Sequence, residues 1–101
     1  MTKRNVCVLF GGVSPEHEGS LRSAECILNN IDRERNRVFA VGITRKGEWI
    51  LYPGTDYSLL PKDLWMTEPD CCRCTISPSR GDGLVIFTPS GAVFEPLDVV
   101  F

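Results

Sequence analysis

The stretch Val6-Cys7-Val8-Leu9-Phe10-Gly11-Gly12 decides how this sequence is read. Five apolar residues in a row, with no polar alternation, describe a strand buried on both faces, as in a parallel sheet covered by helices. Gly11-Gly12 ends the run, and paired glycines let a backbone turn where a side chain would obstruct it. Beyond the turn, Ser14-Pro15 supplies an N-cap followed by proline at the first helical position. Glu16 and Glu18 sit where the positive end of a helix dipole favours carboxylates. Leu21, Ala24, Leu28 and Ile31, with Ile27 beside Leu28, recur at helical spacing and form a one-sided stripe. The helix is expected to end near Asn30. Gly19 weakens its start, and Ser20 is an alternative, later cap.

Working outward, residues 38–44 read as a second strand, Arg45-Lys46-Gly47 as a turn, and residues 48–52 as the returning arm of a hairpin. Residues 53–70 carry Pro53, Gly54, Pro61 and Pro69 and are expected to be mostly loop, with a short helical turn around 58–65. Residues 71–76 read as an edge strand. Residues 84–88 and 92–95 flank Pro89-Ser90-Gly91 as a further hairpin, and Leu97-Asp98-Val99-Val100-Phe101 opens another buried strand. The expected fold is α/β: a small, mainly parallel, Rossmann-like sheet with a helix on its face and peripheral β-hairpins. Ligands of such sheets bind beyond the carboxyl ends of the strands. The last strand reaches Phe101 with no loop behind it, so the chain reads as a separated domain or a truncated stretch of a longer protein.

Length and composition agree with one domain. The chain has 101 residues, 43% hydrophobic and 24% charged, near the average for globular domains. Eleven Lys+Arg against 13 Asp+Glu leave a net charge of -2, so no basic excess is available to neutralise nucleic-acid phosphates. No run approaches the ~20 apolar residues of a membrane span. The five cysteines, an odd and irregularly spaced set, do not make a disulfide framework, and without an export signal the compartment is read as a reducing cytoplasm.

The chemistry-bearing stretch runs from Gly11 to Leu21. A glycine turn leading into a helix start usually receives an anion, yet Glu16 and Glu18 repel phosphate and attract an ammonium. The glycines also fail the G-x-G-x-x-G dinucleotide pattern. Two readings stand on spacing alone: an amine-binding site, or acids that simply favour a helix N-terminus. His17, between two acids, reads as a solvated or charge-paired side chain. Cys71-Cys72-Arg73-Cys74 contains a Cys-x-x-Cys spacing, but zinc needs two further ligands and the only histidine is His17. These thiols read as incidental, and no metal or cofactor site is assigned to the chain. Trp49, Trp65, Phe94 and Phe101 read as core or inter-domain packing.

The residues Val8-Leu9-Phe10-Gly11-Gly12-Val13-Ser14-Pro15-Glu16-His17-Glu18, with Ser20-Leu21 and Ser23-Ala24, resemble the N-terminal signature of D-alanine–D-alanine ligases. Val41-Gly42-Ile43-Thr44-Arg45-Lys46-Gly47-Glu48-Trp49, Ile76-Ser77-Pro78 before Gly83-Leu84, and Leu97–Phe101 are similar to later parts of the same domain. The D-alanine–D-lactate and D-alanine–D-serine resistance ligases share these features. The resemblance implies that residues 1–101 are the first of three domains, the pre-ATP-grasp one. It implies an enzyme of peptidoglycan synthesis that uses ATP and magnesium, both bound by domains absent from this chain. The first carboxylate becomes an acyl phosphate, which the amine of the second D-alanine attacks. The implied partners are D-alanine, the ATP-grasp domains of the same protein, and a second copy in a homodimer formed partly through this domain.

By the same resemblance Glu16 is the catalytic and substrate-binding residue, holding the ammonium of the first D-alanine. Ser20 caps the helix or supports the loop and, secondarily, contacts substrate. Gly19 departs from the family's usual valine beside the substrate methyl and leaves more room there. The competing reading is a free-standing Rossmann-like binding module.

Overall fold

The structure, a computed structural model, describes residues 3–12, 17–79 and 81–101, and for His17 and Glu18 the backbone only. The chain runs β1 (Arg4–Gly11), α1 (His17–Asn30), β2 (Asn36–Ile43), β3 (Trp49–Tyr52), two 3-10 turns (Tyr57–Leu59 and Trp65–Thr67), β4 (Cys72–Ile76), β5 (Leu84–Thr88), β6 (Gly91–Glu95) and β7 (Val99–Val100). All strands join one sheet in the order β6-β5-β4-β3-β2-β1-β7.

The α/β class holds, but the sheet is mostly antiparallel rather than mainly parallel. Only β1 pairs in parallel, with β2 on one side and β7 on the other. The pairings β2–β3, β3–β4, β4–β5 and β5–β6 are antiparallel. Short turns such as 44–48 and 89–90 can join only antiparallel strands, since a parallel neighbour needs a crossover of a dozen or more residues; the longer 53–71 connection also leads to an antiparallel pairing. The hairpins are therefore part of the sheet and not peripheral to it. Residues 72–76, expected at an edge, are paired on both sides. The final strand is shorter and more exposed than expected: β7 is an outer strand, with Val100 45% and Phe101 61% exposed.

β1 behaves as its composition demands. Val6, Val8 and Phe10 face one way and pack with Leu21, Ala24 and Leu28 of α1, all buried, and with Ala40, Tyr52, Leu60 and Trp65. Full burial of Leu21 and Leu28 stabilises the docked helix by roughly 1.5–3 kcal/mol each. Ile27, beside the stripe, is 38% exposed. On the opposite face of the sheet, Cys7 and Leu9 pack with Phe39, Val41, Cys74, Leu84 and Ile86. No helix among the described residues covers this second core. The sheet curls over it instead, bringing Glu95 of β6 to Arg37 of β2, with Arg37 Nη1 2.7 Å from Glu95 Oε2. The chain then returns to β1, where Asp98 Oδ2 accepts the Asn5 amide at 2.7 Å and Asn5 Nδ2 donates to Pro96 O at 2.6 Å.

Candidate functional site

The parallel part of the sheet locates the site before any side chain is considered. From β1 the chain crosses through α1 to β2 on one side, while β7 lies on the other. The carboxyl end of β1 is thus the point where strand order reverses, and open α/β sheets bind their ligands at such points. Gly11 and Gly12 occupy that end with φ of 82° and 116°, a region side-chain-bearing residues avoid.

Two hydrogen bonds pin the turn. Gly12 N donates to Ile43 O at 2.7 Å, tying it to the end of β2. Gly11 N donates to Ser20 Oγ at 3.0 Å, tying it to the first turns of α1. Ser20 therefore lies inside α1 and does not cap it, correcting the later-cap reading. Its hydroxyl serves as the acceptor for the Gly11 amide. Both turn amides are occupied by protein acceptors, which leaves the turn poorly suited to cradle a phosphate.

Gly19 lies in the first turn of α1, exposed, with nothing within 4 Å of where a Cβ would stand. Glu16, and the cap and proline assigned to Ser14 and Pro15, lie outside the described residues, as do the side chains of His17 and Glu18. Of these residues, the structure brings Ser20 to Gly11 at the carboxyl end of β1.

Beneath the turn lies a contact the sequence did not reveal. Phe10 and Gly42 are register partners on β1 and β2. The ring of Trp65 meets Phe10 edge-to-face, with centroids 5.0 Å apart and planes at 83°, and a Cβ on Gly42 would lie 2.2 Å from that ring. Gly42 is the one available signal, since a glycine inside a strand often marks a close approach. Trp65 is fully buried, and its Nε1 finds no acceptor among the described residues.

Two of the thiols, Cys7 and Cys74, are buried. All five are free. Burial, reinforced by Cys74, pushes the Cys7 thiol up to about 12. Burial, then Cys72, pushes Cys74 up to about 11. Such groups are neutral and unreactive at ordinary pH. Among the described residues no three His, Cys, Asp or Glu side chains gather to hold a metal ion, and no helix is long and apolar enough to cross a membrane.

The family described as D-ala D-ala ligase N-terminus matches residues 5–101. The chain belongs to this family. It is 44% identical over 102 residues to a D-alanine–D-alanine ligase of Caldicellulosiruptor bescii, covering all of this chain and 27% of that protein. It is 42% identical over 101 residues to the D-alanine–D-alanine ligase of Thermoanaerobacter pseudethanolicus, covering all of this chain and 28% of the relative. Among solved structures, the VanG D-Ala:D-Ser ligase of Enterococcus faecalis superposes with a TM-score of 0.87 at 29% identity, over 99% of this chain and 28% of that one. The D-alanine–D-alanine ligase of Coxiella burnetii gives 0.77 at 25% identity, over 100% and 28%. The chain thus spans little more than a quarter of the length of the relatives it matches, and the family's domain shares its sheet.

Proposed function

We propose that the protein carrying this chain is an ATP-dependent D-alanine–D-alanine ligase of peptidoglycan precursor synthesis, and that residues 1–101 are the domain that receives the first D-alanine. The family match across residues 5–101 carries this reading. The pinned glycine turn at the strand-order reversal supports it, because a substrate held there lies where a second domain can close over it.

In this reading Glu16, four residues beyond Gly12, accepts hydrogen bonds from the ammonium of the first D-alanine. It fixes which end of the substrate faces the reaction. A charge-assisted hydrogen bond of this kind is worth about 1.5–3 kcal/mol, and its main effect is orientation. Gly19 faces the substrate methyl, and Ser20 holds the loop and borders the substrate. Nucleotide and metal belong to the ATP-grasp domains. The protein works in the cytoplasm, and a homodimer uses part of this domain.

A second reading differs in the second substrate. The D-alanine–D-lactate and D-alanine–D-serine ligases share this domain, as the superposition on a D-Ala:D-Ser ligase illustrates; the residues that choose the second substrate lie in the other domains, and the first-substrate role of Glu16 is the same in either reading. The test is the full-length protein assayed with ATP and D-alanine, then with D-serine or D-lactate added as the second substrate. Glu16→Gln is expected to raise the KM for the first D-alanine tenfold or more. An unchanged KM removes the role given to Glu16, and no dipeptide with any of the three removes the ligase assignment.

A further inference from the structure

We propose that Trp65 is a positioning residue for the substrate site, a wedge whose indole sets where the Gly11-Gly12 turn stands. This rests on the ligase reading for its catalytic consequence, but the wedge itself rests on geometry.

One ring touches both sides of the joint beneath the turn. On β1 it meets Phe10 edge-to-face at 5.0 Å, and Phe10 leads directly into Gly11 and Gly12. On β2 it lies against Gly42, where a Cβ would come within 2.2 Å of the ring, and Gly42 leads directly into Ile43, whose carbonyl takes the Gly12 amide at 2.7 Å. The two contacted residues are register partners, so the ring spans the strand pair one step before it opens into the turn. Any shift of the indole moves Phe10 or Gly42, and with them both ends of the Gly12–Ile43 hydrogen bond.

The backbone that carries the ring is held. The Leu64 amide donates to Leu59 O at 3.0 Å, the Glu68 amide to Trp65 O at 3.4 Å, and Cys71 Sγ lies 3.5 Å from the same carbonyl. The proline-bearing segment between β3 and β4 thereby becomes a brace under the site. A side chain needed only for volume would be apolar throughout. Trp65 instead buries an N–H for which the described residues offer no acceptor, and that cost is expected only where the length and shape of an indole are needed.

The test uses the full-length protein with Trp65→Phe, Gly42→Ala and the double variant. Trp65→Phe keeps an aromatic ring but cannot reach Gly42, and Gly42→Ala pushes the intact indole away. Each single variant is expected to raise the KM for the first D-alanine at least fivefold, with kcat and the KM for ATP within twofold of wild type. The double variant is expected to lose less than the product of the two, because the shorter ring makes room for the new methyl. Hydrogen exchange at the Gly11 and Gly12 amides is expected to accelerate in both single variants, while the β5–β6 amides are unchanged. A lowered melting temperature with unaltered KM and unaltered exchange at Gly11 and Gly12 would overturn the inference. So would kcat and every KM changing together. A wild-type protein inert toward D-alanine and ATP overturns the ligase reading alone, and the exchange measurement then decides the wedge independently.

Discussion

The hydroxyl of Ser20 accepts the amide of Gly11 at 3.0 Å, joining the first turns of α1 to the last residue of β1 across the segment that carries Glu16. Strand and helix meet through a side chain there, so the segment between them has fixed ends.

Removing that acceptor is expected to matter twice. Ser20→Ala leaves a partly buried amide without its partner, and loss of such a bond costs about 1–2 kcal/mol. Chemical denaturation of the protein is expected to show a destabilisation of that size. In the full-length protein the KM for the first D-alanine rises as well. Equal stability and equal KM in the alanine variant would show the bond to be idle.

Gly19 tests helix propensity against substrate fit. Nothing stands within 4 Å of its missing Cβ, and glycine in a helix is about 0.8–1 kcal/mol less favourable than alanine. Gly19→Ala is therefore expected to stabilise the protein by about 0.5–1 kcal/mol in thermal melts. Gly19→Val is expected to gain less, because β-branching costs helical freedom. In the full-length protein Gly19→Val narrows the range of first substrates, measured as the rate with D-alanine relative to bulkier D-amino acids. A destabilised alanine variant would contradict the open space seen here.

Alkaline stability follows from the second core. The folded protein holds Cys7 neutral up to about 12 and Cys74 up to about 11, while the unfolded chain ionises both from the ordinary 9.0. The unfolded state thus binds fewer protons above pH 9. Stability is flat below that pH and falls above it, by up to ~1.4 kcal/mol per pH unit for each thiol. The decline from these groups ends near pH 11 for Cys74 and near 12 for Cys7. Tyr52, raised from 10.0 chiefly by burial, adds its own decline above pH 10. Urea titrations at pH 8, 9 and 10 are expected to show the slope, and Cys7→Val with Cys74→Val to flatten it between 9 and 10. In the native protein a thiol reagent is expected to modify exposed Cys26 first and to spare Cys7 and Cys74 until unfolding.

The closure of the curled sheet can be measured at Arg37 and Glu95. Their pair is short, with the arginine half-open to water and the carboxylate mostly covered, side chains 55% and 19% exposed, so its coupling is expected to be about 0.5–1 kcal/mol and to weaken with salt. Arg37 also lies over the Phe39 ring at 5.0 Å, a contact Glu95 does not share. Arg37→Ala is therefore expected to destabilise more than Glu95→Gln. A double-mutant cycle in urea gives the coupling, and equal losses from the two single variants would dismiss the ring contact.

Much of this was legible in the chain because the signals are local. An unbroken run of apolar residues ending in two glycines specifies a doubly buried strand and a turn. The 3- and 4-residue spacing of Leu21, Ala24 and Leu28 specifies a helix face, and α1 ends at Asn30 as its pattern required. Pro89-Ser90-Gly91 marks the turn joining β5 and β6. The family signature around Glu16 is likewise a matter of adjacent residues.

What the order of residues determined by itself is which segments become strand, helix and turn, since those preferences act over a few bonds. Only the tertiary structure decided how the strands are ordered, that β4 lies inside the sheet, that the sheet curls until Glu95 reaches Arg37, and that Trp65 comes to rest on Gly42. Many of those outcomes depend on contacts between residues far apart in the chain, such as Val6 with Val99, Arg37 with Glu95 and Gly42 with Trp65. Whether such distant surfaces fit is settled by packing all of them at once, and no local pattern encodes it.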